Sequence, residues 1–378
     1  MLGYARSKSA LAALALAIAI AAATAASSPA TNSHKRPPSL EFGGQVILPT
    51  GTTFAGTQVG GLSGIQYAGR GTFYSLSDDP SQFGPARFYK LRADIGDGRL
   101  TPGDITFLDV TTLKQPDGTL FPTASLDPEG FALTPDHKVI VTSEGFATRG
   151  IDPWIRKFRF DGSHHSSLPV PDQFLLGPGK GVRQNLGFET AAFSKKRLWT
   201  GSEGALTQDG PAASLTERSP ARLLRYDKKG RPDDQYLYFT ETIAEPPVPP
   251  TNFAVNGLVE LLPLDKHSFL AMERSFSVGA PGTGNKIKLF RVDLKGADDI
   301  SRFSSLAGLF GVVDPVQKTL LLNLDVLGLP LDNLEGMTFG PTLRDGRRTL
   351  LLVSDNNFAA TQFTQFLLFA YGSSKGDG

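Results

Sequence analysis

Five copies of one hairpin unit constrain this chain more than any other feature. The clearest copy runs from Leu126 to Gly145, LDPEGFALTPDHKVIVTSEG. Glu129-Gly130 precedes a short strand, Phe131 to Thr134. Thr134-Pro135-Asp136 is turn chemistry, because Pro presets φ and Asp caps its own backbone. The β-branched run His137 to Ser143 returns antiparallel and ends at Glu144-Gly145. A hairpin brings its open ends together, so Glu129 and Glu144 belong on one sheet edge. The other copies are Gly61 to Asp79, Asn185 to Gly204, Asn256 to Phe276 and Asn333 to Phe358. Aligned at the entry to the first strand they give Ser63, Glu129, Glu189, Asn256 and Glu335, spaced by 66, 60, 67 and 79 residues. Repeats at such a period point to a propeller, solenoid or array.

Each hairpin is followed by a third strand: Arg87 to Arg92, Trp154 to Phe160, Ala221 to Asp227, Lys286 to Asp293 and Phe366 to Tyr371. Fourth strands follow at Ile105 to Val110, Ser166 to Val170, Gln235 to Thr240 and Lys318 to Leu324. The fifth repeat runs out of chain, and Gly44 to Leu48 has no hairpin partner. Pairing it with Phe366 to Tyr371 closes the ring and hides two sheet edges. The chain therefore reads as all-β, a β-propeller of five four-stranded blades closed by an N-terminal strand. A sixth blade is possible if Ser166 to Gly187 or Ser275 to Gly284 folds further, and a β-sandwich or open array is the alternative. Few stretches show helical periodicity; the best beyond the N-terminus is Asp298 to Leu309, a short loop helix at most.

The expected domains are a signal peptide at 1–25, a flexible leader at 26–42, the propeller at 43–372 and a disordered tail at 373–378. Arg6 and Lys8, the apolar run Ala10 to Ala23 and the Ala23-Thr24-Ala25 site carry the first of these. The expected location is secreted or periplasmic, with no stable membrane anchor after cleavage. The chain has no Cys, which removes disulfides, thiol nucleophiles and thiolate metal sites. Its 38 basic residues balance 37 acidic ones, so bulk charge predicts no nucleic-acid partner. A monomer is expected.

Innermost strands line a propeller's channel. The repeats thus collect ten positions at one mouth: Ser63 and Asp78, Glu129 and Glu144, Glu189 and Glu203, Asn256 and Glu273, Glu335 and Asp355. Hard oxygen ligands that converge suit Ca²⁺ or Mg²⁺, and carboxylates this close need a counter-charge. The metal-binding candidates are Glu129, Glu189, Glu335, Asn256 and Asp78, and Glu129, Glu189 and Glu335 are also the catalytic candidates. Acidic residues at strand ends also cap turns and tie blades together. Arg87, Arg222 and Arg274 are the candidates for binding substrate, with Arg149, Lys180 and Arg183 on the same face; Arg suits bidentate contact with phosphate or carboxylate. No G-x-S-x-G elbow, P-loop or dinucleotide fingerprint is present, and the adjacent His164 and His165 face opposite sides of a strand.

SDDP (Ser77 to Pro80), DPEGFAL (Asp127 to Leu133), GFETAAF (Gly187 to Phe193) and NLEGMTF (Asn333 to Phe339) together resemble the phytase-like family, exported propellers described as esterase-like. That family is related in name and architecture to calcium-dependent β-propeller phytases. The resemblance implies a hydrolase of phosphate or carboxylic esters with Ca²⁺ at the channel mouth. It carries over Glu129, Glu189 and Glu335 as acidic site positions. It does not carry over a phytate-binding set, because Asp78-Asp79-Pro80 closes a strand here, whereas the phytase Asp-Asp-Pro opens one. A calcium-dependent lactonase and a non-catalytic glycan-binding or ligand-binding propeller are the alternative functions.

Overall fold

The structure is a computed structural model that describes residues 39–373. The expected signal peptide, most of the leader and the tail from 374 onward lie outside the described residues.

Five four-stranded antiparallel sheets form the blades of a β-propeller. Blade I is Leu62–Gly69, Thr72–Ser77, Arg87–Ala93 and Ile105–Thr112. Blade II is Pro128–Leu133, Val139–Ser143, Trp154–Phe158 and His164–Leu168. Blade III is Ala192–Ser194, Arg197–Gly201, Pro220–Tyr226 and Pro232–Phe239. Blade IV is Ala254–Pro263, Ser268–Ser277, Asn285–Asp293 and Gln317–Asn323. Blade V is Asn333–Thr342, Arg348–Asp355 and Phe363–Tyr371, completed by the N-terminal strand Leu40–Pro49. The stretches that left room for a sixth blade hold the outer strand of blade II, a 3-10 turn at Asp172–Phe174 and part of blade IV. Asp298 to Leu309 forms turns rather than a helix. Ile300 and Leu306 are buried there against Leu237.

The hydrophobic core is five wedges, one between each pair of neighbouring blades. Period-2 alternation explains this. In blade V, Leu350, Leu352, Leu367 and Phe369 face blade IV, while Leu351, Val353, Phe366 and Leu368 face blade I. Both faces of the sheet are covered, so its strands are apolar runs such as Leu350 to Val353 rather than alternating ones. Each fully buried side chain of this kind contributes about 1.5–3 kcal/mol.

The closing strand pairs along its length with the last strand, in a register that sets Gly44 against Leu368 and Leu48 against Thr364. It begins at Leu40, inside the stretch expected as leader. Val46 is buried in the wedge between blades V and I. A variant lacking residues 1–50 should therefore melt at least about 10 °C below one lacking residues 1–39, since several kcal/mol of burial and pairing are lost. Equal melting temperatures by circular dichroism would contradict closure by this strand.

Candidate active site at the acidic mouth of the channel

A bulge near the entry of the innermost strand builds the site. The register shifts between Leu62 and Gly64, Leu258 and Glu260, and Leu334 and Gly336, with a longer shift between Pro128 and Phe131. Bulges re-aim side chains. The equivalent residues at this level are Ser63, Glu129, Val259 and Glu335, with Glu189 following the Phe188–Ser202 bridge of blade III. Across from the strand entries lie the second-strand exits Asp78, Glu144, Glu203, Arg274 and Asp355.

Blade IV corrects the expected alignment. Gly257 pairs with Arg274 as Asn333 pairs with Asp355, so the exit position of blade IV is a cation. Asn256 and Glu273 fall out of register, and a one-residue slip turns a side chain to the other face. Glu273 accepts hydrogen bonds from Tyr238 Oη (2.6 Å), Lys318 Nζ (2.7 Å), the Glu241 amide (2.7 Å) and Asn256 Nδ2 (3.1 Å). Asn256 Nδ2 also donates to the Glu241 carbonyl. Neither lines the mouth, so Asn256 is not placed to hold a cation there. Ser63 donates to the Glu129 carbonyl at 3.0 Å and ties blade I to blade II.

The mouth is a cavity of about 280 Å³. Asp78, Glu129, Glu144, Glu189, Glu203, Glu335 and Asp355 line it, with Arg274 as the one cation there among the described residues. Among the described residues, the buried side-chain atoms without a hydrogen-bond partner are concentrated here: Asp78 Oδ1, Glu129 Oε2, Glu203 Oε1, Arg274 Nε and Asn285 Oδ1. Buried polar atoms are normally paired, so such a cluster marks a place where a ligand or ion completes the bonding.

Burial raises the proton affinity of Asp78, Glu129, Glu144, Glu189 and Asp355 well above the ordinary carboxylate range, and repulsion between them adds to it. Burial also lifts Asp127 to about 6 and Glu203 to about 7. Burial alone would lower the Arg274 value, but Glu203, Glu335 and Glu189 outweigh it and raise it. Glu203 reaches across to blade IV, where a side chain at Gly257 would run into its carboxylate.

Two groups of carboxylates have oxygens within 4.8 Å of one another: Asp78 with Asp127 and Glu129, and Glu129 with Glu144 and Glu189. Glu129 belongs to both. Glu335 belongs to neither; it accepts from Arg274 Nη2 and from Asn333 Nδ2, each at 2.9 Å. Of the three glutamates expected to converge, Glu129 and Glu189 come together and Glu335 is held by the arginine.

Arg87 and Arg222 do not face the cavity. Both are 0% exposed. Arg87 Nη1 pairs with Asp79 Oδ2 at 2.7 Å, and Arg222 grips Asp209 with Nε at 2.6 Å and Nη2 at 2.9 Å. They fasten loops and are not placed to bind substrate. The adjacent acids of SDDP thus divide: Asp78 lines the mouth, and Asp79 also accepts from the Gln82 and Phe83 amides. Arg274 does line the mouth, from the second strand of blade IV.

Sequence reasoning missed Asp127, although it stands two residues before Glu129 as Asn333 stands before Glu335, a signal present in DPEG and NLEG. It also missed the amides Asn185, Asn285, Asn333, Asn357 and Gln362 and the phenyl rings Phe253 and Phe276 around the cavity.

Just below the carboxylates the backbones of neighbouring blades come close together. A Cβ on Gly130 would lie 2.6 Å from the Thr190 carbonyl carbon, and one on Gly336 3.0 Å from the Ser63 carbonyl oxygen. The Glu-Gly pairing of the motifs follows from that approach. Blade IV carries Glu260 at this level; its Oε1 accepts from Thr190 Oγ1 at 2.6 Å, and burial raises its pKa to about 8.

A family model described as "Phytase-like: Esterase-like activity of phytase" matches residues 57–358, most of the chain. No curated protein matches it. Among solved structures, an α-L-arabinofuranosidase from Lactobacillus brevis is similar at 10% identity and a TM-score of 0.45, over 85% of this chain and 94% of that one. An α-L-arabinofuranosidase from Podospora anserina solved with cellotriose is similar at 9% identity and 0.43, over 89% and 99%. An endo-arabinase from Bacteroides thetaiotaomicron is similar at 10% and 0.42, over 89% and 99%.

Proposed function

Because the chain belongs to the phytase-like family, we propose that it is an exported ester hydrolase that works at the acidic mouth with a divalent cation, Ca²⁺ foremost. The observation that carries this reading is the set of unpartnered buried oxygens there, above all Asp78 Oδ1 and Glu129 Oε2. Carboxylates are hard donors, and two trios of them lie close enough to share an ion. The donor set fits. Asp78, Asp127 and Glu129 would hold one cation, and Glu129, Glu144 and Glu189 would hold the same or a second one. A bound divalent cation supplies Lewis acidity and eases ionisation of water.

The chain's own groups supply the rest. Hydrolysis adds the OH of water to the acyl or phosphoryl centre, breaks the bond to the alcohol oxygen and returns a proton to that oxygen. Glu203 Oε1 accepts no hydrogen bond and has a proton affinity near neutrality, which suits a general base that takes the proton from water. Arg274 holds Glu335 and lies 3.4 Å from Glu203, so it fixes the base and leaves it ionisable.

The test is a screen of the purified protein against phosphomonoesters, aryl esters and lactones, with Ca²⁺ and with chelator. Turnover of at least one class that chelator abolishes and Ca²⁺ restores is expected. Chelator-insensitive turnover would remove the cation from the reading. No turnover of any class, with ligand binding retained, would make the protein a binding propeller.

A further inference from the structure

We infer that the mouth is built for an uncharged carboxylic ester, with its apolar group seated on a phenyl wall from blade IV, and against phosphate esters. The inference rests on the ester-hydrolase reading for its chemistry and on two further features of the cavity.

The first feature is charge. Seven carboxylates line the cavity against one arginine. Arg274 Nη2 is already engaged by Glu335 at 2.9 Å and Glu203 at 3.4 Å. Arg87 and Arg222 are sealed in ion pairs. With every carboxylate ionised, even two divalent cations would leave the wall negative by two charges. A phosphate dianion would enter against repulsion, met by a single guanidinium whose charge Glu203 and Glu335 already offset. An uncharged ester meets no such barrier.

The second feature is the wall itself. Phe253, Val255 and Phe276 line one side of an otherwise polar cavity. Phe253 is 62% exposed, and its ring lies 6.4 Å from that of Phe276. Its placement is fixed rather than incidental. The preceding segment, Glu241 to Asn252, contains Pro246, Pro247, Pro249 and Pro250, whose φ angles are preset. That segment is stapled to blade IV: the Ala244 amide donates to Ser275 Oγ at 3.0 Å and the Val248 amide to the Val278 carbonyl at 2.9 Å. The Val278 amide donates to the Phe253 carbonyl at 3.0 Å. A ring carried on a backbone held this firmly has only its side-chain torsions left to order when it presents apolar area.

The experiment compares p-nitrophenyl butyrate with p-nitrophenyl phosphate, which share a leaving group and differ in charge, on the full Ca²⁺-loaded protein. kcat/KM for the butyrate is expected to exceed that for the phosphate by at least about 100-fold. Phe253→Ala should raise KM for the butyrate about tenfold with kcat little changed, and Phe253→Leu should recover most of the loss, in the range usual for one apolar contact. The ring is largely exposed, so both variants should keep the wild-type melting temperature. Preference for the phosphate, or an unchanged KM in Phe253→Ala, would overturn the inference while leaving the hydrolase reading in place. If neither compound is hydrolysed, that reading fails, and ligand-observed NMR with the butyrate decides the inference. Binding that Phe253→Ala abolishes would uphold the apolar subsite; no binding, or binding that ignores the substitution, would overturn it.

Discussion

Stripped of divalent cations, the protein should lose stability steadily as the pH rises from about 4 to 8, and Ca²⁺ should restore it most at the high end. The cause is the crowding of the mouth. In the folded chain Asp127 holds its proton to about 6 instead of 3.8, and Glu203 to about 7 instead of 4.5. Asp78, Glu129, Glu144, Glu189 and Asp355 are displaced in the same direction. A carboxyl group whose pKa is raised on folding leaves stability intact below its unfolded value. The protein then loses stability as the pH climbs through the folded value. The window therefore opens near pH 4 and extends through 6 and 7. Asp127 alone corresponds to about 3 kcal/mol between the two limits, and the other groups titrate together with it. A loss of that size lowers the melting temperature by several degrees in a domain of this size. A cation reverses the sign, because it binds the ionised carboxylates and not the unfolded chain. Glu260, one residue past the carboxylate level in blade IV and raised to about 8, adds a loss that runs up to that pH and that Ca²⁺ does not remove. Melting curves at four pH values with EDTA and with Ca²⁺ test this. Stability that rises with pH in EDTA would contradict the arrangement of the mouth.

Glu203→Gln should lower kcat by about 10²–10⁴ while Ca²⁺ binding persists. Glu203 belongs to neither carboxylate trio, so the substitution leaves the cation donors in place. It keeps the shape of the side chain over Gly257 and removes only its capacity to take a proton. The acid limb of the pH–rate profile should disappear with it. Glu129→Gln provides the contrast, since Glu129 is shared by both trios and its loss should weaken Ca²⁺ binding itself. A Glu203→Gln variant within tenfold of wild type, with its pH profile unchanged, would rule Glu203 out as the base.

The architecture was legible because it is written in period-2 runs and turn residues, which are local signals. The closing strand could be found from Gly44 to Leu48, an apolar segment without a neighbour to pair with, and it pairs where the orphan strand at the other end required. The register of blade IV was not legible. Asn256 invites alignment with the other strand entries, but the bulge between Leu258 and Glu260 moves the equivalence to Val259, and Arg274 rather than Glu273 reaches the mouth. A bulge adds one residue and leaves no compositional mark. Arg87 and Arg222 were misread for a related reason. Their partners Asp79 and Asp209 lie in loops, where no periodicity announces a buried ion pair. Glu335 occupies the expected position, yet its role depends on Arg274, whose placement follows from that same register.

The most direct test of the central claim, that the acidic mouth is a cation site, is a crystal structure of the protein grown with Mn²⁺ as an anomalous stand-in for Ca²⁺. An anomalous peak should appear at the mouth with the Glu129 carboxylate as a ligand and either Asp78 and Asp127 or Glu144 and Glu189 beside it, at metal–oxygen distances of roughly 2.0–2.6 Å. Absence of any peak there at millimolar Mn²⁺, with the carboxylates still gathered around Arg274, would contradict the claim and make the ring a scaffold that joins the blades.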